Sequence, residues 1–72
     1  MTIPLYDRIF LEVQRAIRMH GSMTTTHHGY AVIKEELDEL WDAIKTDDLP
    51  QACEEAVHVA AMAIRFIQDL EE

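Results

Sequence analysis

Between Ala56 and Ile67 only His58 and Arg65 are polar, and this segment limits what the chain can fold into more than any other. A helix that is apolar on nearly all sides is buried on nearly all sides. The chain has 72 residues, and a chain of that length buries only about 60% of the surface its unfolded form exposes. Two further helices of so short a chain would cover the segment poorly. Small scaffolds usually add disulfides, a metal or a partner chain. Cys53 is the only cysteine, so no disulfide forms within one chain, and a single thiol suits a reducing compartment. Metal binding, oligomerisation or both are left.

The remaining pattern predicts an all-α chain, a single domain over residues 1–72 with three helices and two short connections. The first helix is expected from about Pro4 to Met19, where Tyr6, Ile9, Phe10, Val13, Ala16 and Ile17 recur at helical spacing. Pro4 suits a first turn, Asp7 and the pair Arg15 and Arg18 complement the helix dipole, and Gly21 is a plausible stop. A polar loop over Ser22 to His27 follows, with Thr25 or Thr26 as cap and His27 and His28 read as solvated. The second helix is expected over roughly His28 to Lys45, with Ile33, Leu37, Leu40, Trp41 and Ile44 as its apolar face. After a turn over Thr46 to Leu49, Asp48 with Gln51 resembles a capping box and Pro50 fits a first turn. The third helix runs to about Leu70. Cys53 falls beside Ala56 and Ala60 and reads as core. Gln51, Glu54, His58, Arg65, Asp69 and Glu72 read as a wet polar stripe.

Fourteen acidic residues against six basic ones give a net charge of −8. Such a surface repels DNA and RNA phosphates, which excludes polymeric nucleic acid as a partner. A small nucleotide is still allowed, because a divalent cation can sit between carboxylates and phosphates. No stretch approaches the roughly 18 uncharged apolar residues of a membrane span. The opening Met1-Thr2-Ile3-Pro4 has no basic n-region, and the expected location is cytoplasmic.

Chemistry concentrates in Lys34-Glu35-Glu36-Leu37-Asp38-Glu39-Leu40-Trp41-Asp42. At about 100° per residue, Glu35, Asp38, Glu39 and Asp42 share the face opposite Leu37, with Glu36 to one side. Like charges at i, i+4 cost about 0.2–0.5 kcal/mol per pair, and Glu35–Glu39 and Asp38–Asp42 are two such pairs. Two explanations stand side by side: a solvated acidic face that tolerates small penalties, or carboxylates that hold a hard cation. On the next helix Glu55 and His58 stand at i, i+3, so their side chains can converge.

Glu35-Glu36-x-x-Glu39 followed by Glu55-x-x-His58 resembles the all-α NTP pyrophosphohydrolase superfamily, the MazG-like proteins, whose pattern is E-E-x-x-E, a variable gap, then E-x-x-D. The wider segments from Gly29 to Trp41 and from Val59 to Phe66 are similar to small members from bacteria and phages. The likeness covers about the last two-thirds of the chain. It implies a Mg²⁺-dependent enzyme, with Mn²⁺ as a substitute, that cleaves a nucleoside triphosphate to monophosphate and pyrophosphate. It also implies a homodimer or homotetramer whose paired chains complete a four-helix core. Carried over by position, Glu35, Glu36, Glu39, Glu55 and His58 form the metal set, with Glu36 and Glu39 as catalytic carboxylates. Lys34, Lys45 and Arg65 are the nearest cations for the triphosphate. His58 stands where the family has Asp, and imidazole suits Zn, Mn or Fe better than Mg²⁺.

Two other classes fit the same residues. Glu-x-x-His facing Glu also occurs in di-iron and di-manganese four-helix bundles. The third class is a non-enzymatic homo-oligomeric interaction protein with a vestigial metal site. Tyr30 and Trp41 could stack on a base, but both read as core or interface residues first.

Overall fold

A computed structural model describes residues 2–72, and Met1 lies outside the described residues. Three helices and no strands occur among them: α1 (Leu5–His20), α2 (Thr26–Lys45) and α3 (Leu49–Leu70). Asp7 lies in the first turn of α1 and Arg18 and His20 in its last, each charge opposing the dipole end it faces. The helix stops at Gly21, whose φ of 72° suits glycine and whose N–H donates to the Ile17 carbonyl at 2.9 Å.

α2 starts two residues before its expected position. Thr25 is the cap, and its Oγ1 accepts from the His28 N–H at 3.0 Å. His27 and His28 are therefore exposed residues of the first turn, not of a loop. The His28 ring bends back, with Nδ1 accepting from the Thr24 N–H at 3.2 Å. At the far end the chain closes in a Schellman arrangement. The Asp48 N–H donates to the Ala43 carbonyl and the Asp47 N–H to the Ile44 carbonyl, both at 3.0 Å, with Asp47 at φ 58°. Asp48 then caps α3 by accepting from the Gln51 N–H at 3.1 Å. The Gln51 side chain does not return the bond as a capping box requires. It donates instead to Glu55 Oε1 at 2.8 Å.

α1 and α2 each pack along α3, and their backbones do not approach each other. The core joins Val13 and Ala16 of α1, Met23 of the first connection, and Ala61 and Met62 of α3, ringed by Ile9, Val32, Ile33, Phe66 and Leu70. The small side chain of Ala61, fully buried, lets its neighbours come close. Asp69 ties the first connection down by accepting from the Met23 N–H at 2.8 Å.

Three sequence expectations need correction. Arg65 does not lie on a wet stripe: it is 2% exposed. Its guanidinium donates to the Gly21 carbonyl and to Met62 Sδ, so it satisfies the carbonyl end of α1, where orphan acceptors collect. Cys53 is exposed and not core, because it lies with Ala56 and Ala63 on a side of α3 that faces solvent in the single chain. The expected stripe on α1 also splits. Ile9, Val13 and Ala16 face the core, while Tyr6 and Phe10 remain 83% and 60% exposed. On α2, Leu37, Trp41 and Ile44 are likewise exposed. No helix among the described residues is long and apolar enough to cross a membrane.

Gly29 marks the tightest approach of α2 to α3. A Cβ there would meet the Phe66 ring, with Phe66 Cε2 at 2.8 Å and Leu70 Cδ1 at 3.3 Å. Overpacking of this kind costs about 1–3 kcal/mol, against a gain of about 1 kcal/mol in helix propensity. Gly29→Ala should therefore lower the urea midpoint at unchanged slope, and adding Phe66→Leu should recover part of the loss.

Candidate metal centre

α2 delivers Glu36, and α3 delivers Glu55 and, one turn later, His58. One ligand atom from each lies within 4.8 Å of the others. His58 Nδ1 stands 3.6 Å from Glu36 Oε2 and 3.6 Å from Glu55 Oε2. These separations are too long for hydrogen bonds. They are near the roughly 3–3.5 Å that separates neighbouring donors around one ion with ligand distances of about 2.0–2.2 Å.

The same two carboxylate oxygens, Glu36 Oε2 and Glu55 Oε2, are buried and have no hydrogen-bond partner. Glu55 is only 8% exposed, and its other oxygen is held by Gln51. An unsatisfied buried acceptor costs about 1–3 kcal/mol, and more when charged. Two of them aimed at one imidazole is an arrangement that a cation would relieve.

Glu39, one turn after Glu36, is exposed and borders the group. Hydrogen bonding with Glu36, then partial burial, then the charges of Glu36 and Glu55 raise its carboxyl from 4.5 to about 7. Glu35 is exposed and lines the rim of a cleft of about 180 Å³ with Glu36, Arg15, His20, His28 and Arg65. Asp38 and Asp42 take no part. They pair along the outside of α2 with the two lysines expected to meet phosphate: Lys34 Nζ with Asp38 at 3.0 Å and Lys45 Nζ with Asp42 at 3.3 Å. Lys45 also lies 6.0 Å from the Trp41 ring centre. Arg65 reaches the cleft wall, with its guanidinium engaged at Gly21 and Met62.

Sequence reasoning missed Glu12. It is buried on α1, where Arg15 grips both its oxygens, Nε to Oε1 at 2.9 Å and a terminal nitrogen to Oε2. Glu12 Oε1 also lies 3.7 Å from His58 Nε2. The hydrogen bond from Arg15, opposed by burial and helped by the charges of His58 and Arg15, holds the Glu12 carboxyl below the usual range. The signal was a carboxylate in the inward register of α1, three residues after Ile9 and four before Ala16. An open groove of about 640 Å³ runs beside Arg8, Glu12, Arg15, Arg18 and Glu54. Two of its arginines are already paired, Arg8 with Glu54 at 3.0 Å and Arg15 with Glu12.

No family profile, no characterised protein and no solved structure matches the chain.

The two shifted carboxyls give opposite pH effects. Glu39 binds its proton more tightly folded than unfolded, so between about 4.5 and 7 its contribution to stability falls as pH rises. Glu12 is depressed, so its contribution is present above 4.5 and is lost as pH falls below that value. Thermal melts of the metal-free protein in chelator should therefore show stability decreasing from about pH 5 to pH 7.5. Glu39→Gln should flatten that limb, and a saturating divalent cation should do the same.

Proposed function

We propose that the chain is a metal-dependent nucleoside triphosphate pyrophosphohydrolase that acts as a homo-oligomer, yielding monophosphate and pyrophosphate. The observation that carries this reading is the convergence of Glu36, Glu55 and His58 with unpartnered carboxylate oxygens facing inward. A structural ion pair would leave no such vacancies, and a solvated acidic face would not bury Glu55. Glu39 borders the group and is the carboxyl available to orient the attacking water and take its proton. A divalent cation held there supplies charge neutralisation for the phosphates as the anhydride breaks. In the cleft beside Glu36, His20 and His28 offer nitrogen donors to phosphate oxygens, while Arg15 is held by Glu12. The two histidines are better placed for this than Lys34 and Lys45, which are paired outside.

A second copy of the chain is the expected cover for the apolar residues left outside. Tyr6, Phe10, Leu37, Trp41, Ile44 and Ile67 are all at least half exposed. On α2, Tyr30, Leu37, Trp41 and Ile44 follow the seven- and four-residue steps of a helix seam. Packing two such seams would complete a four-helix core as a dimer or tetramer.

Pyrophosphate release should be assayed over canonical and modified NTPs and dNTPs with Mg²⁺ or Mn²⁺. Release that falls by at least about 100-fold in Glu36→Gln and Glu55→Gln, both still folded, is the expected result. Silence from a folded oligomer across the whole panel would leave the interaction-protein reading in its place. Light scattering should give a dimer or larger for the native chain. Trp41→Asp should shift it toward monomer.

A further inference from the structure

The two ring nitrogens of His58 face different groups. Nδ1 faces the unpartnered oxygens of Glu36 and Glu55 at 3.6 Å, and Nε2 faces Glu12 Oε1 at 3.7 Å. Glu12 is itself fixed, since it is 9% exposed and clasped by Arg15 through both oxygens. Carboxylates face both nitrogens, and a cation among Glu36, Glu55 and Nδ1 would leave the ring proton on Nε2, on the side of Glu12. Carboxylates that orient a ligating histidine in this way also make it a stronger ligand. In that arrangement the Nδ1 lone pair is the one on the side of the two buried oxygens. A set of two carboxylates and one imidazole is poorly matched to Mg²⁺, which takes oxygen ligands and keeps its waters. It is well matched to borderline first-row ions.

We propose that Glu36, Glu55 and His58 Nδ1 form a site selective for a divalent first-row transition ion over Mg²⁺, with Glu12, anchored by Arg15, as the residue that positions the His58 ring. The inference rests on the metal-site part of the reading above and is independent of its hydrolytic part. Glu12 touches neither the ion nor a substrate in this scheme. Its effect reaches the metal only through His58.

The test uses metal-stripped full-length chain without nucleotide, titrated by calorimetry with Co²⁺, Mn²⁺ and Mg²⁺, with Co²⁺ binding also followed by its visible ligand-field absorption. Co²⁺ and Mn²⁺ should bind at least about 10-fold more tightly than Mg²⁺. Glu12→Gln should weaken Co²⁺ binding by about 10-fold and alter the Co²⁺ spectrum while far-ultraviolet circular dichroism stays the same. His58→Asp should remove the preference over Mg²⁺, and in that background Glu12→Gln should no longer affect affinity. Equal affinity for Mg²⁺ and Co²⁺ in the native chain would overturn the proposal, as would an equal Glu12→Gln effect in both backgrounds. A measurement on the unaltered chain guards against variants that fail to fold. Nitrogen-15 NMR of the His58 ring in the diamagnetic Zn²⁺ complex should find the proton on Nε2, and a proton on Nδ1 in that complex would refute the assignment. Mg²⁺-dependent turnover without transition-metal selectivity would remove this inference and keep the hydrolase. Selective binding without turnover would do the reverse.

Discussion

Everything in this molecule is registered on α3, because α1 and α2 pack on that helix and their backbones do not meet. Glu12 of α1 and Glu36 of α2 come to the same imidazole only because both helices are seated correctly against the helix that carries His58. Arg65 is one of the ties that hold this seating. Its buried guanidinium links the C-terminal part of α3 to the end of α1 through the Gly21 carbonyl. Removing one partner of such a contact would leave a charge or a carbonyl stranded in the core, which costs far more than the bond contributes in net terms. The tie at Asp69 and the close approach at Gly29 fix the start of α2 against the same helix. The position of the carboxylates is thus a consequence of packing at the other end of the bundle.

The carboxylate group itself is under electrostatic tension. Glu36, Glu39 and Glu55 gather around one another, and the Glu39 carboxyl is raised to about 7 first by hydrogen bonding with Glu36, then by partial burial and by the charges of Glu36 and Glu55. Among the described residues the guanidiniums near this region are engaged, that of Arg15 with Glu12 and that of Arg65 with the Gly21 carbonyl. The cluster has therefore two ways to lower its energy, by taking up protons or by taking up a cation. Both act on the same oxygens, so proton and metal compete there. A purely structural acidic surface would spread its charges into water, as Asp38 and Asp42 do by pairing with neighbouring lysines along the outer side of α2.

The fold was largely legible because its signals are local. Helical spacing, the cap at Thr25, the cap at Asp48 and the stop at Gly21 depend on residues within a few positions of each other, and the three helices appear close to where these signals put them. The start of α2 lies two residues before the expected His28, because Thr26 and His27 belong to its first turn and nothing in either residue opposes one. The convergence of Glu55 and His58 was legible from i, i+3 spacing, and Glu36 completes the group from the next helix. Glu12 was not, because its relevance depends on which side of α1 meets α3, and the apolar stripe on α1 is broad enough to allow several rotations. Arg65 was misread for a related reason. Helical periodicity says which residues share a side of a helix, but it cannot say that a lone charge within that side will find a carbonyl waiting.

The same breadth of apolar surface explains what the single chain leaves undone. α2 turns Glu36 inward while Leu37, the next residue, points away by about 100° and is exposed. Rotation of α2 about its own axis would exchange burial of one for exposure of the other. A partner that covered Leu37, Trp41 and Ile44 would hold that rotation and, with it, the distance from Glu36 to His58. The hydrophobic seam and the metal-ligating side are on this account two faces of one helix, and each constrains the other through a rigid backbone. A change at Trp41, which touches none of the ligands, would then loosen the site by freeing the helix that presents Glu36.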